Sequence, residues 1–400
     1  MISVKEALER ILTSLKAVET ETIPLDEALG RVLAKDIISK RTHPPSDVSA
    51  MDGYAIRAED AMSPPTSLRV IGESAAGKPF NGVVQTGEAV RIFTGAHLPS
   101  GTDSIMMQEN TDRLSDEIVR LNTPAILARH VRPKGLDVQQ GDICLNAGTY
   151  LSSRHIGLAA TAGYGHVTTY KRPKIGLLFT GSELVKPGDP CGPDQIVNSN
   201  APMLSALIEQ YGGAPVNLGI AEDSAEAILE AAKGFQDVDL CVTVGGASVG
   251  DHDLVQPVLK QAGLEVDFWK IAMKPGKPLI YGSFQGKPFI GLPGNPVSAL
   301  VCAFLYLVPA LKALTNQSDC SHIQLKARVE SILSENGPRQ DYIRAVFSQT
   351  PDGLKVTPLS IQDSSMLSSL AQSNCLLVRE PHAPAAEIGE QVAILPFDLG

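Results

Sequence analysis

The residues best suited to chemistry lie in the second half of the chain, directly after predicted strands. Residues 245–250 read Gly-Gly-Ala-Ser-Val-Gly, a segment without bulky side chains. Backbone N–H groups of such a segment can approach a phosphate, and the positive end of a following helix adds to the attraction. No Gly-Lys-Ser/Thr follows and no GxGxxG pattern is present, so neither a P-loop nor a dinucleotide fingerprint is indicated. The predicted phosphate contacts are Gly245, Gly246, Ser248 and Gly250. The alternative is an ordinary tight turn between a strand and a helix.

Three acidic residues follow strands at the same predicted edge. They are Glu183, Asp223 and Asp253. Clustered carboxylates repel one another without a cation, and oxygen ligands beside a phosphate site suit Mg²⁺. We therefore predict that these three residues bind Mg²⁺. The alternative is that each is a helix N-cap or a solvated acid, and Asp223 precedes a helical pattern over 224–233 that it could cap.

Three lysines lie within one short segment that reads Lys-Ile-Ala-Met-Lys-Pro-Gly-Lys-Pro. They are Lys270, Lys274 and Lys277. Three cations near one strand end predict an anion site. Pro275, Gly276 and Pro278 stiffen the segment and favour fixed positions for the ammonium groups. The alternative is a set of solvated surface lysines, which is the usual state of this residue.

A helix opens within Leu-Pro-Gly-Asn-Pro-Val-Ser, residues 292–298. Pro296 suits the first helical turn, where free backbone N–H groups and the Ser298 hydroxyl could bind an oxyanion. The alternative is simple capping of the helix by Asn295.

Alternating strands and helices position these groups. Strand patterns at 174–179, 214–220, 240–244, 265–269 and 288–290 alternate with helical patterns at 201–211, 224–233 and 253–261 and with a long helix from Pro296. This alternation predicts a doubly wound, mostly parallel α/β sheet. In such a sheet ligands bind beyond the carboxyl ends of the strands, which is where the polar groups fall.

The rest of the chain predicts smaller units. Ser3 and Glu6 form a capping box before one helix, and residues 25–33 give a second helical pattern. Short strand patterns dominate after residue 42, and after Asn316 helices give way to an all-β tail. The predicted domains are a split N-terminal domain of residues 1–41 and 131–170, an inserted β-rich domain of 42–130, an α/β domain of 171–316 and a C-terminal β domain of 317–400.

The amino-acid composition argues against several classes of function. A net charge of −10 argues against non-specific nucleic-acid binding, which needs a basic surface. Six cysteines without a CxxC pair indicate neither a zinc site nor a redox motif, and they favour a reducing compartment. Charged residues interrupt the N-terminus, so no signal peptide is expected, and the apolar run 299–311 is short for a membrane span. We expect a cytosolic protein that binds neither nucleic acid nor membrane.

Taken together, the segments resemble the molybdopterin molybdenumtransferase family, which includes bacterial MoeA and the E domain of animal gephyrin. The resemblance rests on six segments that occur in the family's order. They are Ser-Ala-Met-Asp-Gly-Tyr-Ala at 49–55, Arg-Ile-Phe-Thr-Gly-Ala at 91–96, Thr-Gly-Ser-Glu-Leu at 180–184, Gly-Gly-Ala-Ser-Val-Gly-Asp at 245–251, Lys-Pro-Gly-Lys-Pro at 274–278 and Gly-Leu-Pro-Gly-Asn-Pro-Val-Ser at 291–298.

The resemblance implies a fold and a reaction. The fold would be a multidomain α/β plus β protein with a MogA-like α/β domain, a split helical N-terminal domain, an inserted β-rich domain and a small C-terminal domain similar to a β-barrel. The reaction would be insertion of molybdate into adenylylated molybdopterin with Mg²⁺-dependent release of AMP. The subunit would be elongated and homodimeric, with the molybdopterin adenylyltransferase and molybdoenzyme maturation factors as candidate partners.

The resemblance also implies site residues. Asp52 and Thr94 would reach from one subunit into the pocket of the other. Glu183, Asp223 and Asp253 would hold Mg²⁺, and Lys270 would pair with a substrate phosphate. Molybdate would be held by Lys274, Lys277, Ser298, Arg344 and Ser364.

Two alternatives stay open at this point. The α/β domain alone is also similar to the adenylyltransferase that prepares the substrate, although the segments around Asp52 and Thr94 have no place in a single-domain enzyme. The second alternative is a gephyrin-like scaffold that anchors membrane receptors. Against it, the lysines of the predicted anion site are intact here and no long linker is present.

Overall fold

A six-stranded sheet forms the centre of the computed structural model, which describes residues 1–246 and 254–397. In spatial order its strands are Ala214–Ala221, Lys174–Thr180, Leu240–Val244, Lys287–Leu292, Ile280–Phe284 and Leu264–Trp269. The first four are parallel neighbours, which confirms the doubly wound α/β prediction. The apolar runs of Lys174–Thr180 and Leu240–Val244 are almost fully buried because helices cover both faces of the sheet.

One strand of this sheet is missing from the sequence-based prediction. Ile280–Phe284 runs antiparallel to both of its neighbours and forms a hairpin with Lys287–Leu292. Gln285 and Gly286, with φ values of 52° and 83°, make the two-residue turn. Two positive φ angles match the twist of a hairpin, but Gln-Gly is not among the dipeptides that usually indicate such a turn in a sequence.

The helices of this part agree with the sequence apart from their ends. They are Asn200–Gln210, Ala225–Ala232, Val255–Gln261 and the long helix that begins at Pro296. The side chain of Ser224, not Asp223, caps the second, because Ala227 N donates to Ser224 Oγ at 3.2 Å. Asp223 therefore does not cap this helix, so the capping alternative to metal binding is wrong for this residue.

The long helix runs through Pro296–Cys302, Ala303–Leu307 and Val308–Leu314. Its middle segment has π geometry just before Pro309, which has no N–H to donate to the carbonyl of Leu305. Pro296–Leu314 is the one candidate for a membrane span among the described residues, and 83% of it is buried within the protein. A helix that is buried to this extent is a core helix of the protein.

The segment with three lysines packs against this helix. Gly276 has a φ of +97°, and a Cβ atom there would lie 2.3 Å from Cys302 Sγ. The Cys302 thiol also donates to Gly276 O at 3.6 Å. Only glycine fits both the conformation and the space, so the close contact holds the loop against the core.

The tail folds as a closed barrel. Its strands are Leu325–Val329, Gln340–Thr350, Gly353–Pro358, Cys375–Arg379 and Gln391–Pro396, and pairing of the second with the fourth closes the ring. The short strand Met273–Lys274 joins its edge by pairing with Gln340 and Asp341. The prediction that helices stop after Asn316 is wrong, because Leu367–Gln372 is helical and packs its buried Leu370 into the main core.

The N-terminal part joins segments from both sides of the inserted region. The helix Val4–Ser14 starts at Ser3, whose Oγ accepts from Glu6 N at 3.1 Å. Thr20–Pro24 pairs with His166–Tyr170, Ile37–Ile38 pairs with Ile143–Leu145, and the helix Ser153–Thr161 covers the small core that they enclose. The helix predicted over 25–33 is wrong, because only Leu25–Glu27 forms a 3₁₀ turn and Gly30 has a φ of +73°.

The inserted region forms its own six-stranded sheet. Its strands, in spatial order, are Ser104–Met107, Gly53–Ile56, Glu88–Ile92, Thr66–Ser74, Ile118–Leu121 and Thr111–Arg113. A small bridge between Val48–Ser49 and Val131–Arg132 lies where the chain enters and leaves it.

Replacing Gly276 by alanine should destabilise the protein more than replacing Gly286 by alanine. Both residues have positive φ, but the space around Gly286 is open whereas Cys302 Sγ blocks that around Gly276. We expect a loss of about 2–4 kcal/mol in unfolding free energy for Gly276→Ala and about 1 kcal/mol for Gly286→Ala. Denaturant unfolding measures both, and equal losses would contradict the packing described here.

Candidate active site

A cavity of about 760 Å³ opens at the carboxyl ends of the parallel strands. Thr180, Val244 and Pro293 mark the ends of three neighbouring strands in its wall. The barrel contributes Ser365 and Leu367, so two parts of the chain enclose it. Of the predicted site residues, the described lining includes Glu183, Asp223, Gly245 and Gly246. This volume lies within the range that is usual for pockets that bind an organic ligand of cofactor size.

The two acidic residues lie on adjacent turns that are tied together. Asp223 Oδ2 accepts from Ser182 N at 3.1 Å, and Asp223 N donates to Ser182 Oγ at 3.1 Å. The Glu183 carboxylate folds back over Gly181, where a Cβ atom would lie 2.6 Å from Glu183 Oε2. Both acids are exposed to the cavity and line it. Asp253, the third predicted ligand, lies outside the described residues, and the described residues alone contain no cluster of three metal-ligating side chains.

The glycine turn begins with two residues in the left-handed region of φ. Gly245 and Gly246 have φ values of +95° and +63°. A Cβ atom on Gly245 would lie 2.7 Å from Thr180 O, so the backbone itself forms this part of the wall. Ser248 and Gly250 lie outside the described residues.

The three lysines share one closed loop. Lys270 N donates to Leu279 O at 3.2 Å and Ile271 N donates to Lys277 O at 2.9 Å, so the ends of the loop are joined. Lys277 is exposed, and its neighbour Pro278 lines the cavity. Lys274 Nζ lies 3.4 Å from Asp341 Oδ2 on the barrel. Lys270 has a φ of +69°, and its ammonium lies 3.7 Å from the centre of the Trp269 ring.

The start of the long helix meets the barrel beside the cavity. Asn295 Nδ2 donates to Ser364 Oγ at 3.1 Å, and Val297 N donates to Ser364 O at 3.2 Å. The Asn295 side chain makes no capping bond, so the simple capping alternative is wrong. Ser298, 6% exposed, lies in the first turn of the same helix. Ser364 therefore joins the barrel loop to the helix start that was predicted to bind an oxyanion.

Arg344 is buried beneath that loop. It is 1% exposed, and its Nη2 donates to Ile361 O and Asp363 O, both at 3.1 Å. Its Nε donates to Ser369 Oγ at 3.3 Å. This geometry makes Arg344 a positioning residue for the loop that carries Ser364. The direct contact with an oxyanion that the resemblance implies stays a prediction.

Asp52 and Thr94 form a separate unit in the inserted sheet. Asp52 Oδ1 accepts from both Thr94 N and Thr94 Oγ1, each at 2.8 Å. These two hydrogen bonds hold the pKa of the Asp52 carboxyl below its usual value. Both residues are exposed, and neither belongs to the described lining of the cavity. The expectation that they reach the pocket of a second subunit stays a prediction.

Comparison with known proteins assigns all three parts of the chain to one family. Residues 2–163 match the description "MoeA N-terminal region (domain I and II)", 176–313 match "Probable molybdopterin binding domain" and 326–397 match "MoeA C-terminal region (domain IV)". The molybdopterin molybdenumtransferase of Haemophilus influenzae is 36% identical, with 100% of this chain and 99% of the relative covered. That of Nostoc is 35% identical, with 95% and 89% covered.

The chain belongs to the molybdopterin molybdenumtransferase family. It is thus an enzyme of the transferase class. A crystal structure of a molybdopterin biosynthesis MoeA protein from Pyrococcus horikoshii matches with a TM-score of 0.87 at 28% identity, covering 99% of this chain and 100% of the other. The family assignment confirms the resemblance drawn from the six sequence segments.

Two further cavity residues of this family member were missed in the sequence. Asn198 and Asn200 line the cavity at the start of the helix Asn200–Gln210. The signal was present as Asn-Ser-Asn, because polar residues directly before a helix of an open α/β sheet face the ligand edge. Ser365 was likewise passed over in favour of its neighbour Ser364.

Replacing Thr94 by valine should raise the pKa of Asp52 toward its ordinary value. The substitution removes the hydroxyl donor while the Thr94 N–H bond remains possible, so the charged carboxylate loses part of its stabilisation. A carbon-detected NMR titration of the Asp52 carboxyl measures this directly. Thr111→Val is the matched control, since that hydroxyl donates to Gln108 O and not to Asp52. An unchanged Asp52 titration in Thr94→Val would show that the hydroxyl bond does not matter.

Proposed function

We propose that this protein inserts molybdate into adenylylated molybdopterin and releases AMP, as a step of molybdenum cofactor biosynthesis. The observation that carries the proposal is the cavity at the sheet edge. It is bordered by two carboxylates, by the start of the glycine turn and by Pro278, which directly follows the loop that carries the three lysines. The names of the curated relatives, molybdopterin molybdenumtransferase, support the same reaction.

The acidic side of the cavity fits Mg²⁺. Glu183 and Asp223 present carboxylate oxygens into one cavity, and hard oxygen ligands beside phosphates are what Mg²⁺ prefers. Asp253 would complete the set. The ion would neutralise charge on the bridging phosphates of the anhydride. The protein's own part is to hold the two turns in register through the reciprocal bonds between Ser182 and Asp223.

The basic side suits an oxyanion of the size of molybdate. Lys274 and Lys277 project from a loop whose backbone is fixed by Gly276, and Ser298 and Ser364 lie at the adjacent helix start. Lys270 would pair with a substrate phosphate. Fixed cations and N–H groups are effective because they need no rearrangement as charge develops.

A protein nucleophile plays no part in the proposed reaction. The described lining of the cavity contains neither cysteine nor histidine. Burial raises the pKa of the Cys241 and Cys375 thiols to about 12, so both stay protonated at neutral pH. Catalysis would therefore rest on positioning and electrostatics.

The assembly and the cellular setting belong to the same proposal. A homodimer would bring Asp52 and Thr94 of one subunit to the pocket of the other, which their exposure in the described subunit permits. The cytosol, the molybdopterin adenylyltransferase and molybdoenzyme maturation factors are the expected setting and partners.

Lys277→Ala and Asp253→Ala should each lower the rate of AMP release by about 100-fold or more, because the proposed reaction uses the ammonium group of Lys277 for the oxyanion and the carboxylate of Asp253 for Mg²⁺. The assay incubates the protein with adenylylated molybdopterin, molybdate and Mg²⁺ and follows AMP. Circular dichroism verifies folding.

Lys326→Ala and Asp352→Ala are the matched controls, because both residues are exposed on the barrel and neither belongs to the described lining of the cavity. Wild-type rates in both Lys277→Ala and Asp253→Ala would refute the assignment. Consumption of ATP without AMP release from the adenylylated substrate would instead point to an adenylyltransferase.

A further inference from the structure

A buried amide oxygen in the cavity wall lacks a hydrogen-bond partner. Asn200 is 9% exposed and lines the cavity. Its Oδ1 is buried and accepts no hydrogen bond from any residue that the structure describes. A buried acceptor without a donor is unfavourable, so such an atom calls for an explanation. The other two atoms in this state, Arg57 Nε and Thr169 Oγ1, belong to residues outside the described cavity lining.

The orientation of this amide is set by the backbone opposite. Asn200 Nδ2 donates to Gly294 O at 2.8 Å. Turning the amide over would place two acceptors, Oδ1 and the carbonyl, against each other. The free atom is therefore the oxygen, which can accept a hydrogen bond but cannot donate one.

Capping of the helix does not explain Asn200. The capping bond is made by Asn198, whose Oδ1 accepts from Ala201 N at 3.2 Å. Asn198 is 2% exposed and so is as deeply placed as Asn200. The side-chain oxygen of Asn198 therefore accepts a hydrogen bond from the start of the helix. That of Asn200 accepts none from the described residues, although both asparagines line the same cavity.

We infer that Asn200 Oδ1 accepts a hydrogen bond from the exocyclic amino group of a fused heteroaromatic ring in the substrate. The inference rests on the proposed function. The oxygen lies below the cavity surface, so its donor must protrude from the ligand, as an amino group does from a ring edge. Adenylylated molybdopterin has two such groups, one on the pterin and one on the adenine. Asn200 is thus a specificity-determining residue.

Two pairs of ligands test the inference and separate the two sources. Inosine monophosphate replaces the amino group of adenosine monophosphate by oxygen, and 6-carboxylumazine does the same for 6-carboxypterin. Isothermal titration calorimetry on the full-length protein gives the affinity ratio within each pair. We expect the wild type to prefer the amino ligand of one pair by roughly tenfold or more, because oxygen would face oxygen in its analogue.

Asn200→Ala should reduce that ratio to about one, whereas Asn198→Ala should preserve it because its oxygen is already paired with the helix. Loss of preference in the nucleotide pair assigns the contact to adenine, and loss in the pterin pair assigns it to the pterin. A purely structural role for Asn200 would weaken both members of a pair equally and leave the ratio unchanged.

The inference is overturned if the wild type shows no preference in either pair, or if Asn200→Ala retains the wild-type ratios. Both results can occur while the wild type still releases AMP, in which case the proposed function stands. Absence of AMP release by the wild type would overturn the proposed function itself, independently of the binding ratios.

Discussion

The long helix from Pro296 to Leu314 is the element on which the other parts depend. The loop with three lysines lies against it through Gly276 and Cys302, and the barrel packs on it through His322 and Phe397, both in contact with the Phe304 ring. Burial beside this ring lowers the pKa of His322 to about 4, so the histidine is neutral and its Nε2 donates to Phe304 O. This shared surface, together with the pairing of Met273–Lys274 with the barrel strand Gln340–Thr350, fixes the lysine loop and the barrel relative to the sheet.

The same helix explains why the cavity unites distant segments. Its first turn lies at the carboxyl end of a central strand, and Ser364 of the barrel binds that turn through Asn295 and Val297. Arg344 holds the Ser364 loop from below. The acidic and the basic groups lie on separate elements. Glu183 and Asp223 lie on turns after strands, and the three lysines lie on a loop of their own. The proposed cation site and the proposed anion site therefore lie on separate elements of the chain.

Local patterns were sufficient for much of the fold. The buried strands Lys174–Thr180 and Leu240–Val244 are continuous apolar runs, and the first helix has its cap in Ser3. Prediction failed where tertiary contacts or turn geometry decide. The pattern over 25–33 satisfies helical spacing, yet these residues form turns and bridges to segments that follow the inserted region in the chain. The hairpin strand Ile280–Phe284 depends on a turn whose φ angles are not evident from Gln-Gly alone.

The sequence by itself determined the α/β class, the family and the types of groups at the site, because residue order fixes hydrophobic period, turn residues and motif spacing. Tertiary structure alone decided which of those groups are partnered. It buried Arg344 under a loop, gave the capping role to Ser224 and left one oxygen of Asn200 without a donor among the residues that the structure describes. The reason is physical: burial and hydrogen-bond satisfaction depend on what packs opposite a side chain, and those neighbours come from segments far away in the sequence.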